Sequence, residues 1–516
     1  MNLLPFKNEP YEDFSIPENR KAMEEALRKV ESEFGKEWDI VIGGEHIKSD
    51  KKIESINPSN PKEIVGICQS GTKEMAEKAV EVAAKKFQEW QFTSAEERAG
   101  YLFKAVAIMK RRKMELAATM VLEIGKSWLE AVADVAEAID FLDFYAREML
   151  RLDQPQPLTP FPGEINQYKY IPLGVGVVIP PWNFPLAILA GMTSVSIVTG
   201  NTVILKPASI TPVIGAKFME IMEQAELPAG VLNFLSGGGG AIGDTLVDHS
   251  KTRFINFTGS MEVGLRIVER AAKIQPRQKW IKRVAAEMGG KDAMIIDSEA
   301  DIDAAVSAAI AGAFGFQGQK CSACSRLIVD QKVYDEVIEK LAKRTKELTV
   351  GPVKDYKNYI GPISSTAQEE KILEYIDIGK KEGKLVSGGN KLSMPGYFLE
   401  PTVIIDIDRK ARLAQEEIFG PVLSVIKAKD FDDALAIAND SDYGLTGGFF
   451  TNNREKIEKG KKVFFAGNLY INRKITGALV DAQPFGGYNM SGTCSKAGGK
   501  DYLVLFMQGK SITERL

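Results

Sequence analysis

The chain has 516 residues, 44% hydrophobic and 26% charged, with a formal net charge of -3 and a pI near 5.9. That makeup suits a globular chain with length for two or three packed units and excludes the fibrous, disordered and membrane classes. The near-neutral balance, without Lys/Arg runs alternating with aromatics, argues against nucleic acid as a partner.

The first residues, MNLLPFKNEPYEDF, lack the basic start and apolar stretch of a secretory signal, and their acids argue against a transit peptide. The four cysteines, Cys68, Cys321, Cys324 and Cys494, are too few for a disulfide framework in so long a chain. Both observations suit a reducing, cytoplasmic setting. A short strand region is expected at Ile40 to Ile47, and Ala76, Val80, Ala83, Phe87 and Trp90 share one face of an amphipathic helix. Further helices are expected from Ser94 to Ile124 and from Lys126 to Met149. The apolar passage from Phe184 to Val198 is interrupted by Gly191, Thr193, Ser194 and Ser196 and is short for a bilayer, so it reads as a buried helix.

From Gly174 the texture changes to short β-branched runs, GVGVVI, NTVIL, GVLNFL and TRFINF, separated by stretches long enough for crossover helices. That alternation predicts an α/β fold with a doubly wound parallel sheet. Ligands of such sheets bind at the carboxyl ends of the strands, where this chain places PPWNFP, KPAS, SGGGG and FTGS. The G-x-G-x-x-G fingerprint is not found at these turns. Gly259 and Ser260 instead precede a helix whose N-terminal amides suit a pyrophosphate. His249 lies near a helix end and reads as a cap or surface residue. With only one other histidine, His46, a Ser/His triad, a His-ligated zinc and a His hydride relay are all disfavoured, and no metal is expected.

A second α/β series follows Glu287: DAMIID as a strand, Asp301 to Phe316 as a helix, RLIVD as a strand and Val333 to Leu348 as a helix. Cys321 falls on a loop within it. A thiol that attacks a carbonyl and a carboxylate that activates water are the minimum equipment for oxidising an aldehyde through a thioester, and Cys321 and Glu287 are the candidates. Each alone is weak, since a lone Cys is more often buried filling and a lone Glu a solvated charge. Cys321 and Cys324 also form a C-x-x-C, but no second pair exists for zinc and the surrounding series is far larger than a thioredoxin-like unit.

Taken together, PWNFP, EMGGK, GQKC and EEIFGPV resemble the aldehyde dehydrogenase family over some three hundred residues. INRKITGALVDAQPFGGYNMSGT is similar to the branch that oxidises L-glutamate γ-semialdehyde, the open form of 1-pyrroline-5-carboxylate. The resemblance implies an aldehyde dehydrogenase-like fold: a Rossmann-type NAD-binding domain over residues 1–162 and 173–287, a catalytic domain over 288–480, and a small β oligomerisation flap over 163–172 and 481–516. It implies Cys321 as nucleophile, Glu287 as general base for deacylation, and the Asn183 amide with the Cys321 backbone N–H as oxyanion hole.

The implied cofactor is NAD, with NADP admissible because Ser209 stands where many NAD-selective relatives have an acid. Lys206 is implied at the adenosine ribose, Gly259 and Ser260 near the pyrophosphate, Glu417 and Phe419 around the nicotinamide ribose and ring, and Pro181, Trp182, Gly240, Phe257 and Met288 elsewhere on the cofactor. For a small amino-acid aldehyde, Gly477 and Ala478 would offer backbone N–H groups to the carboxylate, Ser322 a hydroxyl, and Phe184 and Phe485 apolar walls. The flap implies a homodimer or an assembly of dimers, and a separate proline dehydrogenase is the expected metabolic partner. The chain departs from the branch at Asp481, Cys494 and Lys500 and has Met288 where leucine is usual.

Overall fold

The computed structural model describes residues 4–493 and 495–516, so Cys494 lies outside the described residues. Two seven-stranded sheets dominate. The first runs Arg283–Glu287, Thr252–Thr258, Val175–Ile179, Thr202–Leu205, Leu232–Phe234, Ile40–Ile42 and Glu45–Ile47. Its first five strands are parallel and the last two join antiparallel. The parallel strands are buried almost throughout, as expected where helices cover both faces.

The expected strand at Ile40 to Ile47 is a hairpin. Gly43 and Gly44, at φ of 65° and 82°, form its turn, a conformation glycine adopts without cost. The helix expected over Ser94 to Ile124 is divided into Ala95–Arg111 and Lys113–Ile124, because Arg112 leaves helical geometry and its guanidinium pairs with Glu115 and Glu220. The helix Ala187–Val198 is buried almost completely, and no described helix is long and apolar enough to cross a membrane.

Chain order explains where a site can form. From Val175–Ile179 the sheet grows one way through Thr202–Leu205 and Leu232–Phe234, then resumes on the other side with Thr252–Thr258. The switch point therefore lies between Val175–Ile179 and Thr252–Thr258, and Asn183 and Gly259 emerge just beyond the ends of those two strands.

The second sheet runs Lys384–Ser387, Thr402–Ile405, Val422–Ala428, Arg326–Asp330, Ala293–Ile296, Thr446–Phe450 and Asn468–Ile471, all parallel except the first. Glu287 ends an edge strand of the first sheet and Ala293 opens a central strand of the second, so residues 288–292 bridge the two. An antiparallel ribbon pairs Glu164–Pro172 with Met507–Arg515. It lies within the bounds 163–172 and 481–516 expected for the flap. The segment from Phe485 to Ala497 folds back on Glu287 instead, because glycines at 486 and 492 let the backbone approach that carboxylate, where an added Cβ would come within 3.0 Å.

Candidate active site

Cys321 follows a short 3-10 turn, Gly315–Gly318, in which Phe316 and Gln317 are left-handed at φ of 50° and 56°. The strain is held by Gln317, whose side-chain amide donates to the carbonyls of Gly125 at 3.1 Å and Pro362 at 2.8 Å. The EMGGK turn lies alongside. A Cβ on Gly290 would fall 2.7 Å from the Cys321 backbone carbonyl, so that position requires glycine, and one on Gly289 would fall 2.2 Å from the Glu417 carboxylate and displace it. Burial pushes the Cys321 thiol up, and the nearby carboxylates of Asp292, Glu417 and Glu287 add to the effect.

Glu287 is buried, and burial raises its carboxyl to about 7. Opposing that, Gly487 N–H donates to Oε2 at 3.1 Å, while Ser495 donates its N–H to Oε1 at 3.3 Å and its hydroxyl to the same oxygen. A carboxyl poised near neutrality suits proton transfer to and from water.

Asn183 is buried in the turn after Val175–Ile179, and its amide donates to the Gln319 carbonyl at 3.1 Å, two residues before Cys321. Gln319 is itself held, its side-chain oxygen accepting the Ser364 N–H at 2.9 Å. Asn183 is thereby tied to the loop that carries Cys321.

Cys321 lies on the wall of two spaces. One, about 350 Å³, is a groove at the switch point lined by Pro181, Trp182, Asn183, Lys206, Phe257, Gly259, Ser260, Met288, Glu417 and Phe419. Lys206 is buried there, with the Pro207 carbonyl at 3.4 Å as its one hydrogen-bond partner among the described residues, and burial alone lowers it to about 8. An almost unpartnered ammonium facing the groove fits an oxygen-rich ligand. Ser260 caps the helix Met261–Ala272, while the Gly259 N–H is already spent on the Glu287 carbonyl at 3.1 Å. Glu417 accepts the Gly290 N–H at 3.1 Å, and Trp182 meets Phe419 edge-on at 5.4 Å between ring centroids. These groups fit a dinucleotide laid across the switch point.

The other space, about 110 Å³, is lined by Cys321, Glu287, Phe184, Ser322, Gly477, Ala478 and Phe485, with Met288 shared between the two. The expected substrate residues are thus brought together. Two expected cofactor residues are not. Ser209 lies off the groove wall and donates to the Gly237 carbonyl at 3.2 Å, and Gly240 is exposed in the short helix Gly239–Gly243. Asp481 and Lys500 line neither space. His249 accepts the Lys251 N–H, and Cys324 is buried against the Arg326 carbonyl at 3.7 Å. Among the described residues no three His, Cys, Asp or Glu side chains cluster as metal ligands.

Several lining residues escaped the sequence reading, one of them a carboxylate. Glu137, on the helix Trp128–Leu152, reaches the smaller cavity, and burial together with Asp134 raises its carboxyl to about 8. The signal was present in the helix: Glu130, Asp134 and Glu137 recur at i, i+4 and i+7 on a face that is otherwise apolar. Lys126 and Lys320 answer that stripe, pairing with Asp134 at 2.7 Å and Glu130 at 2.6 Å.

The chain resembles known proteins along its whole length. A 1-pyrroline-5-carboxylate dehydrogenase of a Geobacillus species is 56% identical over 510 residues, 99% of each chain. The solved structure of 1-pyrroline-5-carboxylate dehydrogenase from Thermus with bound NAD superposes with a TM-score of 0.99 at 53% identity, covering 100% of both chains. Proline utilization A from Bdellovibrio bacteriovorus is 45% identical with a TM-score of 0.98, covering 99% of this chain and 53% of that one. Since the sequence profile of the Aldehyde dehydrogenase family spans residues 46–512 and the Geobacillus relative matches over 99% of both chains, the chain belongs to the aldehyde dehydrogenase family.

Proposed function

We propose that the chain oxidises L-glutamate γ-semialdehyde, which equilibrates with 1-pyrroline-5-carboxylate, to L-glutamate with NAD, through a thiohemiacetal and then a thioester on Cys321. The observation that carries this reading is the position of Cys321 on the wall common to a dinucleotide-sized groove and a small cavity offering Ser322, Gly477 and Ala478. The likeness to proteins named 1-pyrroline-5-carboxylate dehydrogenase over the full length supports the same substrate.

Cys321 Sγ adds to the aldehyde carbon as its proton passes to water. The oxyanion that forms is met by the Asn183 amide and the Cys321 N–H, each donor contributing about 2.7 to 4 kcal/mol where such sites have been dissected. NAD, when bound in the groove, supplies the acceptor for the hydride released as the oxyanion collapses. Glu287 then takes a proton from water, whose oxygen adds to the thioester carbon. The C–S bond breaks, and glutamate leaves with its new carboxylate. Phe184 and Phe485 exclude bulk water from the aliphatic stem.

For the cofactor, Lys206 faces the adenosine ribose, Gly259 and Ser260 the pyrophosphate, and Glu417 and Phe419 the nicotinamide end, with Pro181, Trp182, Phe257 and Met288 as walls. No carboxylate acts on Lys206, which leaves room for a 2′-phosphate, so NADP is admitted beside NAD. The first sheet with its helices serves as the NAD-binding unit and the second as the catalytic unit. The ribbon Glu164–Pro172 with Met507–Arg515 is the dimerisation element, because a lone two-stranded ribbon is marginal in water. A separate proline-oxidising chain supplies the substrate.

The test is NADH formation with pyrroline-5-carboxylate, comparing wild type, Cys321→Ala and a panel of neutral aldehydes. Cys321-dependent turnover favouring the amino-acid aldehyde supports the proposal. Turnover with neutral aldehydes alone removes the substrate assignment, and no turnover removes the activity.

A further inference from the structure

We propose that Arg473 is a positioning residue that turns the backbone N–H groups of Gly477 and Ala478 into the smaller cavity and thereby sets a preference for aldehydes bearing a carboxylate. The inference rests on the reading of that cavity as the substrate site.

Arg473 follows the strand Asn468–Ile471 in the sequence RKITGA. Its Nη2 donates to the carbonyls of Thr476 at 3.0 Å and Gly477 at 3.2 Å, and its Nε to the carbonyl of Lys474 at 3.2 Å. The guanidinium is steadied over the Tyr470 ring, 4.6 Å from its centroid. Three carbonyls of one turn thus converge on a single cation.

The consequence follows from peptide geometry. All peptide bonds among the described residues are trans, so in each unit the N–H points opposite to the C=O. With the Thr476 carbonyl drawn to Arg473, the Gly477 N–H is aimed away from it, and the Gly477 carbonyl does the same for the Ala478 N–H. Two successive carbonyls converge in this way because Gly477 is left-handed at φ of 75°. Gly477 and Ala478 both line the cavity with Cys321 and Ser322. Neither N–H donates to any described residue.

A pair of unspent amides facing a cavity is an anion site, and a cation bonded to the carbonyl end of each peptide strengthens the donor at the other. No helix or strand fixes these peptide planes. The planar fork of arginine, reaching three carbonyls, suits the task better than a lysine ammonium, which acts as a point charge.

The experiment measures kcat/KM for glutamate semialdehyde and for pentanal, a neutral aldehyde of similar length, together with inhibition by glutamate, in wild type, Arg473→Ala and Arg473→Lys. Thermal unfolding of each variant reports folding. We expect Arg473→Ala to lose about 10- to 100-fold in kcat/KM for the semialdehyde through KM, the range for hydrogen bonds to a charged group. Inhibition by glutamate should weaken in parallel, pentanal should change less than about 2-fold, and Arg473→Lys, which keeps the charge, should recover part of the loss. Equal losses on both substrates, or an unchanged preference, overturn the inference. Should wild type itself show no preference for the carboxylate-bearing aldehyde, the reading of the cavity fails and the inference falls with it, a case set apart because no variant is needed to see it.

Discussion

Ser495 donates both its hydroxyl and its backbone N–H to one oxygen of the Glu287 carboxylate, while Gly487 N–H holds the other oxygen. The segment that follows the second sheet thus reaches back across about two hundred residues of chain to grip the end of an edge strand in the first. These bonds favour the ionised form, burial favours the neutral one, and burial wins, leaving the carboxyl near 7.

The acid limb of the steady-state rate should accordingly fall near pH 7, because a protonated Glu287 cannot take a proton from water. Ser495→Ala removes a bond that stabilises the charge, so the limb should move to higher pH. Glu287→Gln should keep a stoichiometric burst of NADH and lose steady-state turnover by about 100-fold or more, the low end for general-base loss. The linkage sign is also fixed. With a folded value of about 7 above the ordinary 4.5, the native state holds an extra proton between those limits, and the stabilisation it confers is lost as pH rises through 7. Urea midpoints across that window should fall with pH in wild type and less so in Glu287→Gln.

Arg326 should be among the most sensitive buried positions away from the chemistry. Its guanidinium is buried and donates to the carbonyls of Lys291 at 2.8 Å, Ile437 at 3.1 Å and Ala438 at 2.9 Å, joining the EMGGK turn to the end of the helix Phe431–Asn439. Arg326→Met strands three acceptors, each costing about 1 to 3 kcal/mol. The expected outcome is a large drop in the denaturation midpoint, with the surviving folded fraction impaired in kcat because the Cys321 loop rests on the same turn. A midpoint within about 1 kcal/mol of wild type would falsify this account.

Much of this architecture is legible in the sequence where the signal is local. The runs at Val175–Ile179, Thr202–Leu205, Leu232–Phe234 and Thr252–Thr258 are apolar because helices cover both faces, and that alone gives parallel strands. The motif residues Cys321, Glu287 and Asn183 stand at strand ends and turns, where ligands of such sheets bind. Contacts that depend on distant chain are not legible. Nothing local in SGTCSK announces that Ser495 faces Glu287. Ser209 and Gly240 follow strands as the lining residues do, yet neither lines the groove, although Lys206 and Ala208 beside Ser209 do, and the spacing of the acidic stripe ending at Glu137 does not by itself say that a cavity lies beside it.

Asn8 offers a test of a contact made by the segment preceding the first helix. Its side-chain amide donates to Asp140 at 2.9 Å and to the Val480 carbonyl at 3.1 Å, and the Glu9 N–H donates to the other Asp140 oxygen at 2.6 Å. The segment therefore ties the helix that carries Glu137, one turn before Asp140, to the loop that carries Gly477 and Ala478. Asn8→Ala should cost about 1 to 2 kcal/mol for two lost bonds. It should also raise KM for the semialdehyde more than for a neutral aldehyde. Faster cleavage of the first residues in limited proteolysis would accompany the loss, and an unchanged cleavage rate would argue that other contacts of the segment, such as Lys113 with Glu9 and Glu12, suffice.

Lys206 separates the two cofactors by pH. Burial lowers its ammonium to about 8, with no carboxylate opposing, so in the free enzyme it loses its proton just above neutrality. A ribose hydroxyl accepts or donates equally well with the neutral amine, whereas a 2′-phosphate needs the charge. The KM for NADP should therefore climb as pH passes through 8 while that for NAD stays nearly flat. Lys206→Met should raise KM for NAD by up to about 10-fold, the scale of one ordinary hydrogen bond, and should remove the pH dependence of the NADP to NAD ratio. Steady-state titrations of both cofactors from pH 7 to 9 (a window around the value of about 8) decide the matter: parallel curves in wild type would place the 2′-phosphate away from Lys206.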